Sequence, residues 1–352
     1  MINGDFMKKS LRLILTTIAS GVILLGCGGG GGSSSSSTSG SSTTYSSSGS
    51  VGEVLNFNVN TTVSPPTYSY TIVKSAYGLT NATGSGTLSS NADGSYTPSG
   101  SPNSKVFALS NGLLIGGVKL TIGGTPTAVP IVGVSSPVTT LSALAGTYNY
   151  ISTSCTANAN GYPTYPNCGT SYGTLKVLAN GTFTQCTTTN ITTSPSCSTT
   201  TGAISNASNG IWEYVRAGSA NKNYLLAFAA PNGQNVMVID YNDPGGYGYG
   251  HAVASTQPTT NFVSGDGDGS WVIHANNNSS GVTTISGTSF STLNNGGGTN
   301  SGTLTLNNPW IGFVRAAGLT DTGYAILAGT GVYAYRSNTT GNPYYEIGIL
   351  KR

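Results

Sequence analysis

The sequence predicts an all-β protein, an antiparallel sandwich or barrel, in which a small amino-terminal β domain precedes a larger, disulfide-bearing β domain. Short runs in which apolar and polar residues alternate are separated by Gly, Asn, Asp or Pro along most of the chain. After the amino-terminal segment, no stretch keeps a helical period for three turns. Only 7% of residues are charged, yet the chain has 20 tyrosines, which is typical of exported β proteins rather than of disordered chains.

The first 26 residues have the pattern of a secretory signal peptide. Lys8, Lys9 and Arg12 give a positive start. The segment from Leu11 to Leu25 is mostly apolar, and it is shorter than the ~20 residues that a membrane-spanning helix needs.

Leu24-Leu25-Gly26-Cys27 resembles the lipobox of bacterial lipoproteins. The resemblance covers only the end of the signal peptide. It implies that Cys27 becomes the first residue of the mature chain and carries acyl chains that anchor it to a membrane. Gly28 stands where the inner-membrane retention signal has aspartate, so the resemblance implies sorting to the outer membrane, with the periplasmic or cell-surface face left open. Residues 27–50 are rich in Gly and Ser, and a tether of ~25–30 Å reach is expected.

Folded sequence is expected from residue 51, and Ser135-Ser136-Pro137 marks a boundary between a β domain at 51–135 and a larger one at 136–352. In the first domain, Leu55, Phe57 and Val59 alternate with polar residues, which is the period of a strand with one buried face. Strands are predicted there at Val54–Val63, Tyr68–Val73, Gly86–Leu88, Ser95–Thr97, Lys105–Leu109, Leu113–Ile122 and Ala128–Val134.

The larger domain is expected to open with one helical turn, which Thr140 begins as an N-cap and Gly146 ends. Strands are predicted after it at Thr147–Ile151, Thr174–Leu178, Thr182–Gln185, Gly210–Arg216, Tyr224–Ala230, Asn235–Asp240, Trp271–His274, Val282–Ile285, Gly302–Leu306, Trp310–Val314, Tyr324–Leu327, Val332–Tyr335 and Tyr344–Leu350.

The helical turn, the Gly146-Thr147-Tyr148 sequence and the following strand are similar to the opening of lipocalin- and avidin-like barrels. The tryptophan that is common in those openings is absent here. The resemblance implies a closed barrel, and it makes a barrel that holds a small apolar ligand an alternative function.

Three Asx-Gly pairs predict hairpin turns. Asp93-Gly94, Asn180-Gly181 and Asn232-Gly233 each separate two predicted strands. Such pairs are preferred in type I′ turns, because both central residues of that turn need positive φ.

The sequence has five cysteines, and the resemblance assigns Cys27 to the anchor. In an oxidising compartment the other four predict two disulfides, for which three pairings are possible. Cys155 with Cys168 and Cys186 with Cys197 are favoured, because each pair brackets a loop rich in Pro, Asn and Thr.

The charge distribution argues against a nucleic-acid partner. The formal net charge is only +3, and no cluster of Lys and Arg follows the signal peptide.

Tyrosines near the first disulfide loop and in a glycine-rich loop after residue 243 are the candidate binding groups. Flat amphipathic rings on loops suit glycans or protein partners. We therefore expect a non-enzymatic surface-binding role at the cell envelope. The candidate binding residues are Tyr162, Tyr165, Tyr172, Asp243, Tyr247, Tyr249 and His251.

Acidic residues give two further hypotheses. A hydrolase would use His251 as a base with Asp240 and Asp243 beside it, although no G-x-S-x-G elbow precedes them. Asp266 and Asp268 alternate with glycines as Ca²⁺ ligands do, although the further ligands of an EF-hand loop are missing. No cofactor is expected apart from this candidate Ca²⁺ site.

The anchor hypothesis is tested by replacing Cys27 with serine. Without the acylated sulfur, the protein is expected to lose incorporation of labelled palmitate and to leave the envelope membranes on fractionation. A Cys27→Ser protein that stays in those membranes unchanged would contradict the anchor.

Overall fold

A computed structural model describes residues 42–49, 51–99, 108–110, 112–122, 124–157, 163–197, 200–230, 232–243, 248–328 and 331–351. Within these ranges the chain forms 24 β-strands and one 3₁₀ turn, so the predicted all-β class is confirmed. All of them belong to one compact unit that spans Ser39–Arg352.

The first eight strands form an open antiparallel sheet, which we call the half-barrel. They are β1 (Ser42–Gly49), β2 (Glu53–Asn60), β3 (Thr67–Ser75), β4 (Thr83–Ser90), β5 (Tyr96–Pro98), β6 (Ala108–Ser110), β7 (Leu113–Ile122) and β8 (Thr125–Val134). Their order in the sheet is β5-β4-β3-β2-β1-β8-β7-β6.

The next eight strands form the first barrel, an antiparallel meander that closes where β16 pairs with β9. They are β9 (Gly146–Ala157), β10 (Pro163–Val177), β11 (Thr182–Thr187), β12 (Thr200–Ser208), β13 (Ile211–Arg216), β14 (Asn223–Ala229), β15 (Asn235–Asp243) and β16 (Gly248–Thr256).

The last eight strands form the second barrel, with the same meander closed by the pairing of β17 with β24. They are β17 (Gly269–Ala275), β18 (Ser280–Ser286), β19 (Ser289–Asn294), β20 (Thr299–Leu306), β21 (Phe313–Gly318), β22 (Thr322–Ala328), β23 (Val332–Ser337) and β24 (Tyr345–Leu350). The segment 136–352, treated above as one domain, thus contains two closed barrels.

The tether predicted at 27–50 is wrong for residues 42–49, which form β1. This strand lies between β2 and β8 and pairs with both. Tyr45, Ser47 and Ser48 are buried, and the two serines are small enough to fit where neighbouring chain segments approach closely. A Cβ on Gly133 of the neighbouring strand would lie 2.3 Å from Oγ of Ser47. Serine-rich composition therefore marks close packing here, not a linker.

Strands β12, β16 and β19 were not predicted, because polar and small residues mask their alternation. The sequence of β16, for example, begins Gly-Tyr-Gly-His. The predicted glycine-rich loop therefore ends at Gly248, and both Tyr249 and His251 lie in a strand.

The three Asx-Gly pairs do form hairpin turns, but the predicted type I′ geometry is wrong. Only the glycines have positive φ, at 82° for Gly94, 85° for Gly181 and 79° for Gly233. Each glycine N–H donates to the carbonyl three residues earlier, as in a type I turn followed by a G1 bulge. The Asx side chain instead accepts from the backbone two residues on, for example from Gln234 N–H at 3.1 Å.

The helical turn before β9 is a 3₁₀ turn at Leu141–Leu144. Thr140 occupies the N-cap position as predicted, although it makes no side-chain cap hydrogen bond, whereas the predicted end at Gly146 is wrong because Ala145 is the C-cap and Gly146 belongs to the strand. The hydroxyl of Tyr148 instead donates to the carbonyl of Leu144 at 2.8 Å, which holds the turn against the end of the first barrel.

One apolar core joins the half-barrel and both barrels. Outward side chains of the barrels meet side chains of the half-barrel in a cluster that includes Leu113, Val134, Leu226, Phe313 and Ile347. Each of these five is at most 3% exposed. Strands such as β14 and β24 are largely buried on both faces because one face lines a barrel and the other this shared core.

Both predicted disulfides are confirmed. Cys155 joins Cys168 across the adjacent strands β9 and β10. Cys186, at the end of β11, joins Cys197 in the connection to β12. Among the described residues, no helix has the length and apolar character to cross a membrane.

The shared core predicts that damage in the half-barrel weakens the barrels. Replacing Leu113 with alanine leaves a buried void and is expected to cost about 2–5 kcal/mol of unfolding free energy. All three tryptophans, Trp212, Trp271 and Trp310, lie outside the half-barrel, so their fluorescence during a guanidinium titration reports the barrels.

Leu319→Ala is the matched control, since Leu319 is 81% exposed and its loss is expected to cost less than about 0.5 kcal/mol. A tryptophan-detected transition that Leu113→Ala does not move would refute the energetic coupling.

Candidate functional site

The second barrel holds a cavity of about 680 Å³. Small-molecule sites typically have volumes of ~300–1,000 Å³. The cavity opens between the four turns that follow β17, β19, β21 and β23, and those turns contribute Asn277, Ser279, Asn295, Asp321 and Tyr344 to its lining.

The two barrels have the same number of strands but different interiors. Large side chains fill the first barrel, among them Tyr148, Tyr150, Phe183, Trp212, Tyr214 and Tyr241. In the second barrel the wall formed by β21 and β22 presents Ala316 and Ala325 to the cavity, so that side leaves space. The segment around Gly146-Thr147-Tyr148, whose sequence resembles the start of lipocalin-like barrels, thus belongs to the filled first barrel. The cavity lies in the second barrel.

The floor of the cavity is apolar. Ile285, Leu304 and Leu327 line it, and each comes from the end of a strand that runs away from the four turns. Phe290, at the start of β19, lies at the same end. A ligand that reaches this depth gains free energy by covering apolar surface.

A buried carboxyl group lies on the wall above the floor. Glu346 is only 8% exposed, and the hydroxyl of Tyr333 donates to its Oε1 at 2.7 Å. The hydroxyl of Tyr344 donates to Oε2. Burial raises the pKa of the Glu346 carboxyl, while these two phenolic donors oppose that rise. Thr283 and Thr292 extend the polar wall, with their hydroxyl oxygens 2.8 Å apart.

A second carboxylate lies at the mouth. Asp321 accepts a hydrogen bond from the hydroxyl of Tyr335 at 2.9 Å and one from Ser337 at 2.7 Å. Thr339 also donates to it. These donors fix the carboxylate in the turn between β21 and β22.

Two glycines make room for the tyrosine rings of this wall. A Cβ on Gly348 would lie 2.3 Å from the ring of Tyr333, and one on Gly323 would lie 2.5 Å from the ring of Tyr335. The rings can therefore lie flat against the neighbouring strands only because these positions lack side chains.

The described members of the predicted tyrosine set lie between structural units and not on free loops. Tyr172 is in β10, where its ring lies 5.8 Å from that of Trp310 and 4.7 Å from that of Tyr324. The guanidinium of Arg336 lies 5.5 Å above the same ring. Tyr249 lies 5.8 Å from Tyr77 of the half-barrel. Both rings therefore contribute to contacts that hold the units together.

The proposed hydrolase pair is not assembled. Asp240 and His251 are register partners on β15 and β16, and each is 1% exposed; Asp240 is buried against the half-barrel, whereas the ring of His251 lies 5.1 Å from that of Tyr345 in the second barrel. Asp240 accepts a hydrogen bond from Ser48 at 2.6 Å, whereas neither ring nitrogen of His251 has a hydrogen-bond partner among the described residues. Burial lowers the pKa of His251 to about 3, so it is neutral at physiological pH. A buried neutral imidazole without the aspartate bond does not form the arrangement that a nucleophile needs.

The Asp266 and Asp268 carboxylates stabilise turns. Asp266 accepts from the N–H of Val263 at 2.8 Å, and Asp268 from that of Gly287 at 2.6 Å. Within the described ranges, no group of three or more His, Cys, Asp or Glu side chains is arranged to hold a metal ion.

Several candidates lie outside the described residues. These are Cys27, Tyr162 and Tyr247, together with the side chains of Tyr165 and Asp243.

Sequence reasoning missed the cavity residues. Glu346 interrupts the otherwise apolar strand Tyr-Glu-Ile-Gly-Ile-Leu, and Tyr333 and Tyr335 alternate on the strand before it. A lone carboxyl in an apolar strand, opposite aligned tyrosines, was a usable signal for a polar group inside a barrel.

The buried carboxyl groups under the half-barrel predict a pH-dependent stability. Burial raises the pKa of Glu53 from 4.5 to about 7, so its deprotonation disfavours the folded state between those values. His251 acts in the opposite direction, because its folded-state pKa is lowered. The difference in unfolding free energy between Glu53→Gln and the natural chain isolates Glu53.

From pH 4.5 to 7, the unfolding free energy of Glu53→Gln is expected to rise by about 3 kcal/mol relative to that of the natural chain, as measured by chemical denaturation. Glu213→Gln removes a carboxylate whose partner is Lys222 at the surface and should not reproduce the trend. A flat difference for Glu53→Gln would contradict the assignment.

No family model, no curated protein and no solved structure matches the chain.

Proposed function

We propose that the protein is a lipid-anchored protein of the cell envelope whose second barrel binds a small molecule. The observation that carries the binding role is the cavity of about 680 Å³, with its apolar floor and its hydrogen-bonded polar wall. The anchor rests on the lipobox resemblance at Cys27. The bound molecule is amphiphilic, because the floor favours an apolar part and the wall and mouth favour a polar one.

Two observations favour this role over the other hypotheses. Tyr172 and Tyr249 are engaged between structural units, which leaves less of the tyrosine set for a glycan or protein partner. Asp240 and His251 are buried without the hydrogen bond that a hydrolase would need.

The binding role is tested with N-phenylnaphthylamine, whose fluorescence rises in apolar surroundings. Titration of the purified full chain is expected to give one saturable site. Replacing Ala325 with phenylalanine puts a ring into the cavity and is expected to weaken probe binding at least tenfold.

Ala203→Phe is the matched control, since Ala203 lines a separate surface groove on the first barrel. Equal probe binding by the natural chain and Ala325→Phe would overturn the assignment of the site.

A further inference from the structure

The charged groups of the cavity all have one sign. Glu346 and Asp321 are part of the lining, whereas none of the described residues that line the cavity is Lys, Arg or His. Arg315 on β21 and Arg336 on β23 alternate with lining residues and so lie on the outer face of the barrel, where Nε of Arg336 donates to Thr170 of the first barrel at 3.0 Å. The cavity is therefore a site of uncompensated negative charge whenever its carboxyl groups are ionised.

The hydroxyl groups of the wall are already used as donors toward these carboxylates. Tyr333 and Tyr344 donate to Glu346, and Tyr335 donates to Asp321. Asn277, Asn295 and other polar lining residues at the mouth can donate or accept hydrogen bonds, whereas the carboxylate oxygens have further lone pairs and only accept them. The carboxylates repel an anionic ligand and attract a cationic one that donates hydrogen bonds.

Aromatic rings add to the preference for a cation. Tyr333, Tyr335, Tyr344 and Phe290 all line the cavity. Aromatic rings attract organic ammonium groups through their quadrupoles, and a desolvated site strengthens that attraction.

The position of these groups sets the shape of the ligand. Asp321 and Tyr344 belong to turns at the mouth and Glu346 is the second residue of β24, whereas Ile285, Leu304 and Leu327 lie at the opposite strand ends. A ligand with a cationic end at the mouth and an apolar body toward the floor matches both regions.

We propose that the second barrel binds an amphiphilic organic cation, with its ammonium group near Glu346 and Asp321 and its apolar part on the floor of Ile285, Leu304 and Leu327. This inference rests on the proposed binding function and specifies its ligand class.

Binding of a cation is coupled to ionisation of Glu346. Burial raises the pKa of this carboxyl, and a bound ammonium group would lower it again. The groups that face Glu346 are Tyr335 and Tyr333 on β23, Tyr344 in the preceding turn and Asp321 across the mouth. His274 and Arg336 are on neighbouring strands but on their outer faces. The cation therefore binds more weakly at acidic pH, and it releases protons when it binds near the pKa of this carboxyl.

The test compares three phenyl-bearing probes of different charge on the full chain by isothermal titration calorimetry: benzyltrimethylammonium, benzyl alcohol and phenylacetate. The cation is expected to bind at least tenfold more tightly than the other two. Glu346→Gln is expected to weaken the cation about tenfold, which corresponds to about 1.4 kcal/mol, and to leave benzyl alcohol within about twofold.

Asp321→Asn is a second variant that keeps the inference testable if Glu346→Gln does not fold, and Glu213→Gln is the control for removal of a distant carboxylate. Cation affinity no greater than that of benzyl alcohol, or unchanged in both cavity variants, overturns the ligand class. If Ala325→Phe still weakens N-phenylnaphthylamine binding at least tenfold, the proposed binding function would be preserved. Failure of that probe as well would overturn both.

Discussion

The structure depends on apolar contact between outward faces of three β-sheets. A closed barrel normally exposes its outer surface to water, yet β14, β15 and β24 carry Leu226, Val238 and Ile347 on theirs. These side chains leave water only when the half-barrel and the two barrels meet. The polar contacts between the barrels follow from the same arrangement. Asn149, 1% exposed, accepts a hydrogen bond from Trp310 at 2.9 Å and donates one to the carbonyl of Ile311 at 2.9 Å.

This shared core also explains the low charge of the chain. A residue on the outer face of a barrel strand is buried wherever another sheet covers it, so few positions accept Lys or Glu without a cost in desolvation. The ionisable groups that are buried there, Glu53 and Asp240, have raised pKa values for that reason. They accept hydrogen bonds from the hydroxyls of Ser75 and Ser48, and no Lys or Arg among the described residues forms an ion pair with either.

Local patterns predicted much of the fold. The alternation of Leu55, Phe57 and Val59 identified a strand, and the cysteine spacing identified both disulfides, because each feature depends on neighbouring residues. The buried strand β1 was not predictable from composition, since part of what buries its serines, β8 and Asp240, lies far along the chain. The cavity was not predictable either. Whether a barrel is filled depends on the summed sizes of inward side chains from eight strands. Only the assembled barrels show that residues such as Trp212 fill the first interior, whereas residues such as Ala325 leave space in the second.

The central position of β1 has a mechanical consequence. This strand is where the upstream chain enters the folded body, and it pairs with β2 over its whole length and with β8 from Ser46 to Gly49. Tension applied along the strand loads these hydrogen bonds together in shear, instead of peeling them apart one by one as at a sheet edge. Strand β1 therefore resists being pulled out along its own axis better than a strand at the edge of the sheet would.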